Sequence, residues 1–259
     1  MNKWRLIIDR DLPGAENMAR DESLLRAGED GSGGGPVLRL YGWSEPTISI
    51  GYAQDASAFR GKGLPVVRRV TGGRAVIHGD EITYSITAAC SEPVFSGGIN
   101  GAYSVISRCI VAALDDMGIE AALARGQRRG GCAGRKDACF HTPSRYEVLA
   151  GGKKLAGSSQ RRFKRAFLQH GSILFRIDGP LHERVFGPGV TERMACISSF
   201  SRAGKEEMKR ALVKRFSEGL SAEFAEGGLT KAEEGLEREL RASRYSSGEW
   251  NGASPLKAC

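Results

Sequence analysis

The chain has 259 residues, of which 41% are hydrophobic and 26% charged. That profile excludes wholesale disorder, and the length suffices to bury a full core. No apolar run approaches the roughly 18–20 residues of a membrane span, and "MNKWRLIIDRDLPG" is too short and too charged in its apolar part for a signal peptide, so a soluble, cytoplasmic protein with no membrane partner is expected. The net charge of +8, from 38 Lys and Arg against 30 Asp and Glu, would steer an acidic partner into contact. Aromatics are only 7% and form no basic, aromatic-interleaved stripe, which argues against nucleic acid.

In chain order, Trp4 to Asp9 predicts an opening strand. Ala15 to Ala27 predicts a helix with Met18, Leu24 and Leu25 on its apolar side. Asp30 to Pro36, "DGSGGGP", is a flexible loop; it does not follow a strand and open a helix, so it is no dinucleotide fingerprint. "VLRLYGW" and "TISIGYA" read as strands split by the turn Ser44-Glu45-Pro46. Pro65 to Ala89 reads as strand, glycine turn, short strand, turn and strand, and in "EITYSIT" Ile82, Tyr84 and Ile86 alternate with polar residues as in a half-buried strand. Tyr103, Ile106, Ile110, Leu114 and Met117 mark one face of a helix from about Ile99, closed by Gly118. Arg125 to Asp137 has no periodicity and five cations, and reads as a basic surface loop. Three strands follow, "SRYEVLA", "KKLAGSSQRR" and "AFLQHGSILFRI", the first two joined by a Gly151-Gly152 hairpin turn. The C-terminal third reads as helical, with one helix over Lys205 to Phe224 and another, opened by the capping box Thr230-x-x-Glu233, running towards Arg244. Gly227-Gly228 is a candidate hinge. The chain is expected to be one catalytic domain over 1–259, with a core about 30–225 and a helical segment 226–255 packed on it.

Six cysteines without paired spacing predict reduced thiols rather than a disulfide frame. Cys90 and Cys109 read as small core hydrophobes. Cys139 stands apart, at a polar loop end in "ACFHTPSRYEVLAGGKKLAGSSQ", with Lys154 fifteen residues later. Gly152 to Ser158 lacks the lysine of a phosphate loop. A zinc site from Cys132, Cys139, His141 and His170 has no usual ligand spacing, and no metal is expected. A Cys–His pairing with His78, His141 or His170 remains open. So does a Cys139–Lys154 pair, in which an ammonium lowers the thiol pKa and polarises a carbonyl, and so does an idle, solvated Lys154.

"RRVTGGRAVIHGDEITYSI" resembles the RR-x-(S/T)-GG-x-AV-x-H segment of lipoate–protein ligases and lipoyl/octanoyl transferases. "GGKKLAGSSQ" resembles that family's second hallmark, "LQHGSILF" its following strand, "AENMARDESLL" its N-terminal helix and "YSSGEWN" its tail. "CFHTPSRYEV" ahead of the lysine is similar to the Cys/Lys-dyad octanoyl-[acyl-carrier-protein]:protein N-octanoyltransferases. The resemblance implies an α+β fold of the biotin/lipoate protein ligase type, a mixed, mostly antiparallel sheet flanked by helices with a smaller second sheet. It implies Cys139 as acyl-thioester nucleophile and Lys154 as the residue that lowers its pKa. It places Arg69, Thr71, Gly72, Gly73, Ala75, His78, Gly157, Ser158, His170 and Gly171 around the acyl or lipoyl group. Where many members have His-Asp, this chain has His78-Gly79-Asp80, with Asp80 as the candidate substitute.

The implied partners are acyl carrier protein as octanoyl donor and lipoyl domains, such as the glycine-cleavage H protein, as acceptors; "RRFKR" (Arg161 to Arg165) and the basic loop would suit docking of these acidic proteins. No cofactor is implied for the transferase, since a thioester is already activated and thioester exchange followed by amide formation is covalent catalysis without ATP. The alternatives are an ATP- and Mg-dependent lipoate–protein ligase acting through lipoyl-adenylate, an amidotransferase passing octanoyl between lipoyl domains, and a non-catalytic basic binding protein for nucleic acid.

Overall fold

The computed structural model describes residues 2–124 and 146–252. Cys132, Cys139, His141, Cys259 and the basic stretch Arg125 to Asp137 lie outside them. In chain order the elements are β1 (Asn2–Leu12), α1 (Gly14–Asp30), β2 (Val37–Trp43), β3 (Thr47–Ile50), β4 (Val66–Arg68), β5 (Val76–His78), β6 (Glu81–Ala89), α2 (Gly98–Asp116), β7 (Ala121–Leu123), β8 (Val148–Ala150), β9 (Lys153–Arg162), β10 (Ala166–Leu174), α3 (Gly179–Phe186), α4 (Lys205–Leu220), β11 (Ala222–Glu226), α5 (Lys231–Leu240) and α6 (Gly248–Gly252).

The strands make an eight-stranded sheet in the order β11-β1-β2-β6-β10-β9-β8-β7 and a three-stranded sheet in the order β4-β3-β5. In the large sheet β1 runs parallel to β11 and β2, and the remaining neighbours are antiparallel. This is the mixed, mostly antiparallel architecture, with a smaller second sheet, that the family resemblance implied.

Both faces of the large sheet are covered, and they differ in chemistry. On one face Leu38, Leu40, Ile82, Ile86 and Phe167 pack with Ile106, Ile110 and Leu114 of α2 and Met208, Leu212 and Phe216 of α4. On the other, Met18, Ala19 and Leu25 of α1 meet Tyr41, Trp43 and Leu168. Because successive strand residues point to opposite faces, the alternation that feeds aliphatic groups to α2 and α4 leaves Arg39, Thr83, Ser85 and His170 on the α1 side, all buried. Burying one large apolar side chain is worth about 1.5–3 kcal/mol. The apolar face therefore supplies stability, and the α1 face can hold polar groups so long as each finds a partner.

Several local expectations hold. Gly118 closes α2 at a left-handed φ of 72°, and Gly151 and Gly152 both take positive φ (54° and 74°) in the β8–β9 turn. Cys109 is buried in the α2/α4 core, and burial pushes its thiol pKa up to about 12; Cys90 is half-buried against the same core. The helix expected over Lys205 to Phe224 ends earlier. Ser221 takes φ 50°, and Ala222 turns into β11 parallel to β1, where Phe224 meets the Trp4 ring edge-on at 6.2 Å. A one-strand extension of the sheet thus overrides the helical periodicity. Gly227-Gly228 is tied down rather than hinged: the Gly227 amide donates to the Leu6 carbonyl, and Arg5 donates to the Gly228 carbonyl.

The Thr230/Glu233 capping box forms with both reciprocal bonds, and Glu233 also accepts two bonds of 2.6 Å from Arg5. Thr230→Ala is expected to lower stability by about 1 kcal/mol, read as a shifted urea midpoint at unchanged slope. No helix among the described residues is long and apolar enough to cross a membrane.

Candidate active site

Between α1, the small sheet and strands β9 and β10 lies a cavity enclosing about 540 Å³ of space free of protein atoms, its mouth included. Met18, Tyr41, Trp43 and Val76 supply apolar wall, and two histidines, a lysine and Arg69 supply the basic part.

The first histidine, His170 on β10, belongs to a chain of hydrogen bonds anchored by Asp21. One Asp21 oxygen accepts from Arg39 (2.7 Å) and Ser85 (2.8 Å), the other from Tyr41 (2.8 Å) and His170 Nδ1 (2.9 Å). Burial opposes charge on Asp21, but Arg39 and the donated bonds outweigh it and hold its pKa near about 2. An ionised carboxylate only accepts, so His170 Nδ1 carries a proton. Burial lowers the His170 pKa, which leaves the ring neutral and Nε2 as acceptor towards the Thr71 hydroxyl at 2.7 Å. Thr71 in turn meets the Ser159 hydroxyl at 2.8 Å, in the cavity wall.

The second histidine, His78 on β5, repeats the pattern. Glu81 faces its Nδ1 at 2.8 Å and the Ser49 hydroxyl its Nε2 at 2.7 Å. The ring lies flat on Trp43, 3.7 Å between centroids at an 8° tilt. Arg69 donates to the Ser49 hydroxyl and carbonyl and to the carbonyls of Gly72 and Arg74. The guanidinium thus shapes the Gly72-Gly73 turn from inside. Gly73 has φ 96°, and a Cβ on the facing Gly51 would run into the Gly73 carbonyl.

Lys154 on β9 is 2% exposed, and its Nζ donates to Glu147 Oε1 at 2.6 Å. Gly157 makes space for it: a Cβ there would stand 2.6 Å from Lys154 Cε and 2.8 Å from Nζ. Gly171 is equally constrained, since a Cβ would press on the Ser158 hydroxyl, the Gly157 carbonyl and the Tyr84 ring.

Of the residues singled out in the sequence, Arg69, Gly73, His78, Lys154, Gly157, Ser158, His170 and Gly171 line this one cavity. Thr71 stands behind the wall through its bond to His170, and Gly72 contributes a carbonyl to Arg69. Ala75 points away, into the core formed with Ile48, Ile50 and Val185. Asp80 does not substitute for the missing acid next to His78; it pairs outward with Lys205 at 2.6 Å, and Glu81 takes that place. Residues 152–158 form a hairpin and strand, not a phosphate loop. His170 is engaged by Asp21 and Thr71, and no group of three or more His, Cys, Asp or Glu suited to a metal occurs among the described residues. Cys139 lies outside them. Asp21, Arg39, Glu81 and Glu147 escaped sequence reasoning. Charged residues within apolar strand and helix patterns, above all Arg39 in "VLRLYGW", were the available signal.

The model of the lipoyl protein ligase A/B catalytic domain matches residues 13–217. The chain belongs to that family. A curated octanoyltransferase LipM of Moorella thermoacetica is 38% identical over 266 residues, covering 95% of this chain and 97% of that protein. The Geobacillus kaustophilus octanoyltransferase LipM is also 38% identical, over 96% and 97%. Among solved structures, a putative lipoate protein ligase from T. acidophilum with bound lipoic acid superposes with a TM-score of 0.81 at 27% identity, over 97% of this chain and 99% of that one. A lipoate-protein ligase A bound with ATP gives 0.82 at 27% identity over 98% and 100%. The chain thus resembles proteins named as transferases along its sequence and proteins named as ligases in its fold.

Proposed function

We infer that this lipoyl ligase-family chain is an octanoyltransferase that moves octanoyl from acyl carrier protein, through Cys139, to a lysine of a lipoyl domain such as the glycine-cleavage H protein. The observation that carries the reading is the near full-length likeness to octanoyltransferases. A buried Lys154 ammonium in the wall of a partly apolar cavity supports it.

The chemistry balances without ATP. The Cys139 thiolate attacks the octanoyl carbonyl, the carrier's C–S bond breaks, and the departing carrier thiolate takes up a proton. A deprotonated lipoyl-domain amine then attacks the enzyme thioester. The C–S bond to Cys139 breaks, the amide forms, and the thiolate is restored. The proton lost from the amine nitrogen on amide formation balances the one the carrier thiolate takes up, so one proton is released overall only when the acceptor lysine starts as its ammonium. The Lys154 ammonium lowers the cost of the thiolate and stabilises the oxyanion that forms at each attack. Arg69 and His78 hold the Gly72-Gly73 turn and the cavity wall against the acyl chain.

Mixing the protein with octanoyl-acyl carrier protein and a lipoyl domain, with no nucleotide, is expected to octanoylate the domain. Intact mass should show an acyl-enzyme that is absent from Cys139→Ser. Transfer seen only with free lipoate and ATP would make the protein a ligase instead.

A further inference from the structure

We propose that Glu147 is the positioning residue for Lys154: its carboxylate pairs with the ammonium and aims it into the cavity. The catalytic consequence rests on the role given to Lys154 above; the ion pair itself does not.

The carboxylate and the ammonium are 2.6 Å apart, and neither side chain exceeds 8% exposure. A buried ammonium is costly to hold without a paired, hydrogen-bonded anion. Arg69 is a second cation in the same wall, and His78, His170 and Tyr41 each serve other partners. Tyr103 of α2, whose pKa is raised by burial and by neighbours including Glu147, carries no charge to offset it. Arg193 precedes Met194, whose backbone bridges Lys154. Glu147 is the anion the geometry sets against these cations.

The fold also aims this carboxylate deliberately. Tyr146, the residue before it, takes φ 74°, a left-handed conformation that costs a non-glycine residue energy and persists only where surroundings enforce it. Here the Ser107 hydroxyl donates to the Tyr146 carbonyl at 2.9 Å, and the Tyr146 ring stacks on Tyr103 at a 9° tilt. On the other side the Glu147 carbonyl accepts from the Ala124 amide at 2.8 Å. Lys154 is held from its own side, where its carbonyl accepts from Ala195 and Gly157 leaves its stem room. Two backbones are thus locked so that one carboxylate meets one ammonium at the cavity wall.

The test compares wild type with Glu147→Gln, which keeps shape and removes charge, and Glu147→Asp, which keeps charge. Two readouts are taken. The first is the rate at which an amine-reactive reagent labels Lys154, followed by peptide mass with Lys154→Arg as the blank. The second is the single-turnover rate of acyl-enzyme formation from octanoyl-acyl carrier protein. Glu147→Gln is expected to raise Lys154 labelling about threefold or more and to slow acyl-enzyme formation about tenfold to 100-fold, whereas Glu147→Asp recovers the wild-type labelling and most of the rate. Unchanged Lys154 labelling in Glu147→Gln overturns the proposal. Raised labelling in a protein whose wild type forms no acyl-enzyme supports the pair and refutes the transferase reading instead. If Glu147→Gln does not fold, Ser107→Ala, which loosens Tyr146, takes its place: a slowing of about threefold or more at a near wild-type melting temperature supports the proposal, and an unchanged rate overturns it.

Discussion

Gly157→Ala is expected to cut acyl transfer about 100-fold while leaving the protein folded. The added Cβ would sit 2.6 Å from Lys154 Cε, where non-bonded carbons prefer about 3.5–4.0 Å. A lysine tip usually swings away from such a clash at little cost. This one cannot, because its ammonium is bonded to Glu147 at 2.6 Å and only 2% of the residue is exposed. The lysine must move by about 1 Å, and a displacement of that size at a reacting centre costs on the order of 100-fold. Overpacking of this kind destabilises by about 1–3 kcal/mol, so the melting temperature should fall by several degrees without loss of the fold. Parallel measurement of transfer rate and melting curve checks both parts. A Gly157→Ala enzyme within threefold of wild type would show that the position of Lys154 is unimportant to turnover.

Asp21→Asn should be the costliest single change to stability among the polar residues of the α1 face. Asp21 joins Arg39, Tyr41, Ser85 and His170 in one buried cluster. Breaking a buried ion pair from one side costs about 3–5 kcal/mol. Asp9 still accepts from Arg39 at 2.6 Å, which places the expectation near the lower end and the fall in melting temperature at about 6–12 °C. The acid branch gives a second reading. The folded-state pKa of Asp21 is lowered from 3.8 to about 2, so between those values the unfolded chain binds more protons. Its contribution is full above 3.8 and is lost as pH falls towards 2, about 2.5 kcal/mol in all. His170 acts in the same direction at higher pH. Its folded-state pKa lies below the ordinary 6.5, so stability declines as pH falls through 6.5 while the unfolded histidine protonates. Urea unfolding from pH 7 to pH 3 should therefore show a decline in wild type, with its lowest part flattened in Asp21→Asn. Equal stability of the two proteins at pH 7 would rule out a structural role for the cluster.

Both experiments bear on residues that differ in how visible they are in the sequence. Lys154 and Gly157 stand out because the glycine-bracketed hairpin and the motif resemblance converge on them. Asp21 and Glu147 do not. Asp21 sits in "MARDESLL" among other charges, where a solvated helix face is the ordinary reading, yet it is 1% exposed. Glu147 is separated from Lys154 by a turn whose register contains a bulge, so their meeting follows from the pairing of β8 with β9 and not from spacing. Ala75 shows the converse case. It lies inside a motif that surrounds the site, but, just ahead of β5, it packs with Ile77 in the core while Val76 and His78 line the cavity.

The alternation in "EITYSIT" separates the two levels most clearly. The sequence by itself determined that Ile82, Tyr84 and Ile86 share one face of a strand, because side chains alternate with a period of two. It likewise determined the glycine turns, the α2 face and the capping box, all of which depend on neighbours within a few residues. What covers the opposite face is not a local property. Only the tertiary structure, by laying α1 and the small sheet over Thr83, Ser85 and His170, turned a face that reads as solvent-exposed into a buried one. Buried polar groups must find partners: Ser85 finds Asp21, His170 finds Asp21 and Thr71, and Thr83 finds Trp43 and Glu81. The same packing that demanded those partners also left the cavity between them.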